Sequence, residues 1–289
     1  MFIKAPAKIN LTLRILSKRA DGYHEISSMM RAIRLFDEVE IDTGAIAFGA
    51  GTPYSYINIE TDTENVPAGP GNLAYIAAEL MAEKYPGLFS RIDISIKKSI
   101  PVAAGLGGGS ADAAAVLLYL AKISGQDIKL ADLAEWGAVL GKDVPFCVYA
   151  CAAANPDLGY KGAGAALAEG AGEIITPVSE PEKAWVVLIN PQVEVPTKQV
   201  YEMYDNHNTP GFVSDNDLEA PCAEAWPVVA ETLKTLKGIC PEGVKVQLSG
   251  SGPSVFAYFS DTQRAEAERV YTIAKEAFDG VPIRLIETL

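Results

Sequence analysis

The sequence predicts an α+β protein of two domains, and three observations carry that prediction. The chain has 289 residues, 49% of them hydrophobic, enough to bury more than one ordinary core. Short segments of alternating apolar and polar residues are interspersed with longer helical stretches along both halves, the mixture expected of sheets with helices packed on them. Residues 152–172 are rich in Ala and Gly with little periodicity, and the connection between domains is placed there, giving units of 1–160 and 161–289.

The elements follow in order. Ile9, Leu11, Leu13 and Ile15 alternate with Asn10, Thr12 and Arg14, which predicts a half-buried strand with Lys8, Asn10 and Thr12 projecting from the face opposite the core. Further strands are predicted at Val39–Ile41, Tyr56–Glu60 and Ile92–Ile96, and an alanine-rich helix from Asn72 to about Tyr85. A second helix follows the glycines at 105–109, and a third runs from Ile128 to Leu140, closed by Gly141, after which Pro145 keeps the chain from continuing as helix. The second half reads as a strand at Ala184–Asn190, a helix near Thr197–Tyr204, a helix from Ala223 to Leu236 and strands at Val244–Leu248 and Ser254–Phe259. It ends with a helix from Thr262 to Phe278 and a strand at Pro282–Ile286.

Composition narrows the partners. A formal charge of −13 opposes binding to nucleic acid or an anionic membrane, so any anionic ligand must be met by a few local cations. The four cysteines, at 147, 151, 222 and 240, form no Cys-x-x-Cys pair, and with two histidines in the chain they read as buried apolar residues in a reducing compartment rather than zinc ligands. No apolar run approaches the ~20 residues of a membrane span and no signal-peptide core is present, so a cytoplasmic protein is expected.

The stretch Pro101-Val-Ala-Ala-Gly-Leu-Gly-Gly-Gly-Ser-Ala-Asp112 carries the strongest chemical signal. Its glycines let backbone N–H groups approach a ligand closely, and the helix that follows aims unpaired N–H groups and a positive dipole end at the same spot. That combination suits phosphate, although a glycine run can also be a plain connector. It is neither a Walker A loop, since Gly141-Lys142 is followed by Asp143, nor a dinucleotide loop, since it begins about a third of the way along the chain. Ser110 can cap the helix or offer a hydroxyl to phosphate or metal. Asp143, in a glycine-bounded turn, and Lys8 each read alone as ordinary turn and surface residues. Beside a phosphate loop they are the acid–base and cationic groups that phosphoryl transfer requires. Asp21-Gly-Tyr-His24 presents Tyr23 and His24 at a tight turn, a plausible platform for a planar base. A second glycine-rich turn, Leu248-Ser-Gly-Ser-Gly-Pro-Ser-Val-Phe256, lies between two predicted strands.

Together with Pro6-Ala-Lys-Ile-Asn-Leu11, Gly141-Lys-Asp-Val-Pro-Phe146, Ala168-Glu-Gly-Ala-Gly-Glu173 and Pro196-Thr197, these motifs resemble, in order and across almost the whole chain, those of the GHMP kinases, the group of galactokinase, homoserine kinase and mevalonate kinase. The resemblance implies an N-terminal ATP-binding domain of the ribosomal protein S5 domain 2-like type, a C-terminal ferredoxin-like α/β sandwich, ATP and Mg²⁺ as cofactors, and a cytidine diphosphate derivative of isoprenoid precursor synthesis as acceptor. It assigns catalysis to Lys8 and Asp143. It assigns the ATP phosphates to Pro101, Val102, Ala103, Ala104, Gly105, Leu106, Gly107, Gly108, Gly109, Ser110 and Ala111, and the neighbourhood of adenine to Asn72 and Lys98. The acceptor falls to Asn10, Tyr23, His24, Thr197 and Tyr201. No nucleic acid or membrane partner is implied, and a monomer or weak homodimer is expected. Relative to the family pattern the chain carries extra residues at 151–161, which leaves the shape of the cleft near the domain junction open but not the chemistry.

Overall fold

The structure is a computed structural model and describes residues 2–44, 56–178, 182–206 and 214–289. The first sheet is organised around one long strand, β3 (His24–Asp42), which pairs antiparallel with β1 (Phe2–Asn10) and β2 (Arg14–Lys18) along one edge. Along its other edge it pairs with β5 (Arg91–Lys97) and β6 (Ala165–Gly170). The outer strands are β4 (Tyr56–Thr61), parallel to β5, and β7 (Ile174–Pro177), antiparallel to β6. Four helices cover this sheet: α1 (Leu73–Lys84), α2 (Gly108–Ile123), α3 (Leu130–Gly137) and α4 (Val144–Ala154).

A bulge in β1 decides what that strand presents. Pro6 has no N–H to give the ladder, and pairing with β3 slips between Pro6 and Ala7. Before the slip Ile3 and Ala5 pack into the helix-covered core, whereas after it Ala7 and Ile9 pack into the junction between the sheets. Lys8 and Asn10 therefore turn toward α2 and the loop before it. They are 4% and 1% exposed, so the expectation that they project from a face opposite the core is corrected: this half of β1 is covered on both sides. Thr12 does not join them, because the chain bends after Asn10 and the Thr12 hydroxyl accepts from the Met29 N–H at 2.9 Å.

The second sheet contains β8 (Ala184–Ile189), β9 (Lys245–Leu248), β10 (Val255–Ser260) and β11 (Ile283–Glu287) in the order β11-β8-β10-β9, all antiparallel. Helices α5 (Thr197–Asn206), α6 (Glu219–Ala225) and α7 (Pro227–Ile239) lie between β8 and β9, and α8 (Arg264–Ala277) lies between β10 and β11. This is the ferredoxin-like arrangement that the resemblance implied. Pro227, at the first position of α7, splits what periodicity read as one helix from Ala223 to Leu236.

The chain passes from one sheet to the other between Pro177 and Ala184, later than the division at 160. The Ala/Gly-rich segment is not a linker. It holds the end of α4, a 3₁₀ turn at Pro156–Leu158 and β6, and its small residues answer to close packing: a Cβ on Gly162 would lie 2.1 Å from the Ala153 nitrogen. Pro145 likewise begins a helix instead of preventing one, since it occupies the first turn of α4, where no N–H partner is needed. Among the described residues no helix is long and apolar enough to cross a membrane.

Candidate active site

The two glycine-rich turns meet each other. Gly105 has φ +72°, and a Cβ there would lie 2.3 Å from the Ser249 carbonyl oxygen and 2.7 Å from that of Gly252, so neither the conformation nor the space admits a side chain. The Ser249 hydroxyl donates to the Gly105 carbonyl at 3.0 Å, and the Lys8 N–H donates to the Leu106 carbonyl at 2.9 Å. The first loop is thus tied to the second domain on one side and to β1 on the other. Ala103 and Gly107 also have positive φ, 52° and 72°, and no side chain caps the start of α2. The first-turn N–H groups are left without a side-chain cap, an arrangement suited to an anion.

These features open onto one cavity of about 1070 Å³, large enough for two small substrates. Of the loop residues expected at phosphate, Pro101 to Gly105 and Gly107 to Ser110 line it. Leu106 and Ala111 do not, because Leu106 packs into the junction core and Ala111 beneath the helix. Residues 151–161 do not line it either. Asn155 docks that segment onto β1, donating to the Lys4 carbonyl at 2.9 Å and accepting from the Lys4 N–H at 3.0 Å, which places it outside the cavity lining.

Lys8 and Asp143 come together at the cavity floor with Nζ 3.2 Å from Oδ2. Lys8 also donates to Asn10 Oδ1 at 2.8 Å, and Asn10 in turn donates to the Ser28 hydroxyl at 2.8 Å. Asn10 therefore orients the ammonium. The Lys8 side chain is flattened against Gly107, where a Cβ would sit 3.0 Å from Lys8 Cγ. Asp143 is the residue just before α4, so its carboxylate stands at that helix's N-terminus. With Asp143 one-third exposed and Lys8 nearly enclosed, the pair faces the mouth of the phosphate loop with one side open to ligand.

Lys98 and Asn72 line the same cavity, yet their polar atoms are committed within the protein. Lys98 donates to Asp37 Oδ2 at 2.5 Å and to Asp112 Oδ2 at 2.6 Å, and Asp37 Oδ1 accepts from the N–H groups of Ser99 and Ile100 at 2.6 and 2.8 Å. Burial alone would lower the Lys98 pKa, but the two carboxylates raise it. Burial pushes the Asp112 carboxyl up to about 7 against the pull of Lys98. Asn72 caps α1, accepting from the Ala74 N–H at 2.9 Å while donating to the Pro67 carbonyl at 3.0 Å.

At the other end of the cavity His24 stacks on Tyr201, with ring centroids 4.9 Å apart, and its Nε2 lies 2.7 Å from Asp205 Oδ1. Asp205 also accepts from Lys18 at 2.5 Å, and this hydrogen bond holds its carboxyl below the usual range. A 4.9 Å stack leaves no room for a ring between His24 and Tyr201, so a planar ligand would lie against Tyr23, which is 53% exposed, and at the edge of His24. Thr197 completes the wall, its hydroxyl 2.9 Å from that of Ser251 in the second glycine turn. Asp37, Asp112 and Asp205 escaped the sequence reading. The signal for Asp205 is its position four residues after Tyr201 on one helix, whereas nothing local marks Asp37 within the longest strand.

Among the described residues no group of three or more His, Cys, Asp or Glu is arranged to hold a metal ion. Magnesium, which keeps waters and substrate phosphates, needs only one or two protein oxygens. Ser110 at the loop is the candidate hydroxyl.

The profile of the GHMP kinases N terminal domain matches residues 72–151. A 4-diphosphocytidyl-2-C-methyl-D-erythritol kinase of Geobacter sulfurreducens is 39% identical, with 91% of each chain aligned. The enzyme of that name from Geobacillus thermodenitrificans is also 39% identical, over 98% of this chain and 96% of its own. A crystal structure of 4-(cytidine 5'-diphospho)-2C-methyl-D-erythritol kinase superposes with a TM-score of 0.70 at 29% identity, over 99% of both chains. Homoserine kinase from Cytophaga hutchinsonii, 18% identical with a TM-score of 0.69 over 100% of this chain and 94% of its own, shares the fold. With its two-sheet fold, its glycine-rich loop and these relatives, the chain belongs to the 4-diphosphocytidyl-2-C-methyl-D-erythritol kinase family of the GHMP kinases.

Proposed function

We propose that the protein transfers the γ-phosphoryl group of ATP to the 2-hydroxyl of 4-diphosphocytidyl-2-C-methyl-D-erythritol, giving the 2-phosphate and ADP, in non-mevalonate isoprenoid precursor synthesis. The observation that carries this reading is the Lys8–Asp143 pair, Nζ to Oδ2 3.2 Å, between the phosphate loop and the His24–Tyr201 stack in one cavity. Asp143 orients and deprotonates the acceptor hydroxyl, and Lys8, held by Asn10, balances the charge that develops in the transfer. Backbone N–H groups of residues 103–109 and the start of α2 hold the donor phosphates. Asn72 and Lys98 border the adenine end, where their own hydrogen bonds fix the loop wall instead of reaching for the base.

Ser110 would hold a magnesium ion at the donor phosphates, and that ion would supply charge neutralisation there. Tyr23 carries the cytosine by stacking, with His24, Thr197 and Tyr201 as the wall around it. Action as a monomer or weak homodimer is part of this reading. The reduced cysteines, three of the four buried, support a cytoplasmic setting.

Asp143→Ala is expected to lower turnover by about 10²–10⁴-fold, the usual effect of removing a general base, while ATP affinity changes little. Steady-state kinetics beside a nucleotide titration checks this. Near-normal turnover would remove Asp143 from its role.

A further inference from the structure

On the reading just given, the acceptor carries a diphosphate between its base and its reacting hydroxyl. That group enters a cleft with no surplus of positive charge, since five lysines and six carboxylates line the cavity. Most of those lysines are committed. Lys8 is held by Asp143 and Asn10, Lys98 by Asp37 and Asp112, and Lys18 by Asp205. Lys198 is 89% exposed at the rim and is paired with Glu202.

Lys142 differs. It directly precedes Asp143, and its stem lies along the turn at Gly172, where a Cβ would be 3.5 Å from Lys142 Cβ. Its ammonium reaches back to lie 5.2 Å from the centre of the Tyr23 ring. Its ion pair with Glu173 Oε1, 3.9 Å long like the 3.8 Å pair of Lys198 and Glu202, is beyond hydrogen-bonding distance, but unlike Lys198 the Lys142 side chain stands inside the cavity, 34% exposed. One side chain thus spans from the residue that handles the reacting hydroxyl to the ring that carries the base. The diphosphate must cross that same interval.

We propose that Lys142 binds the diphosphate of the acceptor, and that it is the cation that lets this acidic protein accept a doubly charged ester. The ammonium donates to the phosphate oxygens while its stem stays against Tyr23, so base and diphosphate are held in register with Asp143.

Calorimetric titration of cytidine 5'-diphosphate and of cytidine tests this, with the donor site saturated by a non-hydrolysable ATP analogue. Wild-type protein should bind the diphosphate far more tightly than the nucleoside. Lys142→Met should shrink that ratio by about 10-fold or more, the usual loss for a charge-assisted hydrogen bond, while cytidine affinity moves by less than about twofold. Lys142→Arg should keep most of the ratio, and the acceptor KM should rise about 10-fold in the Met variant alone. An unchanged ratio in Lys142→Met, or equal weakening of both ligands as expected if the lysine only props Tyr23, overturns the assignment. A wild-type protein that binds neither ligand while binding the ATP analogue overturns the cytidine reading itself, and the assignment with it.

Discussion

The buried Asp37–Lys98–Asp112 cluster shows how residue environments divide labour beneath the phosphate loop. Asp37 accepts two backbone N–H bonds besides Lys98, whereas Asp112 Oδ1 is buried without a partner. Asp37→Asn should therefore cost about 3 kcal/mol, the scale of breaking a buried ion pair. Asp112→Asn should cost much less near neutral pH, where that carboxyl is already partly protonated. The pH dependence has a definite sign. The Asp112 pKa is raised from 3.8 to about 7, so the folded protein holds this proton more tightly than the unfolded chain. The group's contribution to stability is full below about pH 4 and is lost as pH rises through about 7. Urea denaturation at about pH 5 and pH 8 should show the wild type losing stability relative to Asp112→Asn, and parallel pH profiles would contradict the assignment.

Among the elements, the paired glycine turns are the joint on which the site depends. Gly105→Ala forces a Cβ against two carbonyl oxygens at 2.3 and 2.7 Å and demands a left-handed conformation, so the turns must separate. A loss of about 1–3 kcal/mol in stability is expected, with weakened ATP binding, measured by thermal denaturation and nucleotide titration; unchanged ATP affinity would mean that the loop does not hold phosphate. Both turns were legible in the sequence because glycine runs between periodic segments are local signals, and so were α1 with its Asn72 cap and every strand of the second sheet. The burial of Lys8 and Asn10 was not legible, because it depends on a bulge at Pro6 and on a second domain covering β1. Nor was α4, whose residues, Val144–Ala154, are buried almost all round and therefore carry no amphipathic period. Asp143 lies 3.2 Å from Lys8, a proximity that periodicity did not mark, since it left Asp143 in a turn after a helix.

At the scale of the whole molecule, the two sheets are stitched at both ends of the chain. Thr288 bridges to Ile33, the Leu289 N–H donates to the Ala32 carbonyl at 3.0 Å, and Leu13 exchanges backbone hydrogen bonds with Asp215 and Asp217 at 2.8 and 2.9 Å. The Thr288 hydroxyl accepts from buried Arg31 at 2.8 Å and from the Ala184 N–H at 3.0 Å. Thr288→Ala leaves the Ala184 N–H unpaired and Arg31 Nη2 with only the Glu182 carbonyl at 2.9 Å, and should destabilise the protein by about 2 kcal/mol, seen as a lower denaturation midpoint for a single transition shared by both sheets. Independent melting of the two halves would contradict that coupling. Holding the sheets together keeps the glycine loop, the Lys8–Asp143 pair and the aromatic wall in one cleft. The most direct test of that arrangement is an ADP-coupled assay with Mg²⁺ and ATP, offering 4-diphosphocytidyl-2-C-methyl-D-erythritol, homoserine, mevalonate and galactose in parallel. Turnover with the cytidylyl acceptor alone is the predicted result. Turnover with another alcohol, or with none of the four, would contradict it.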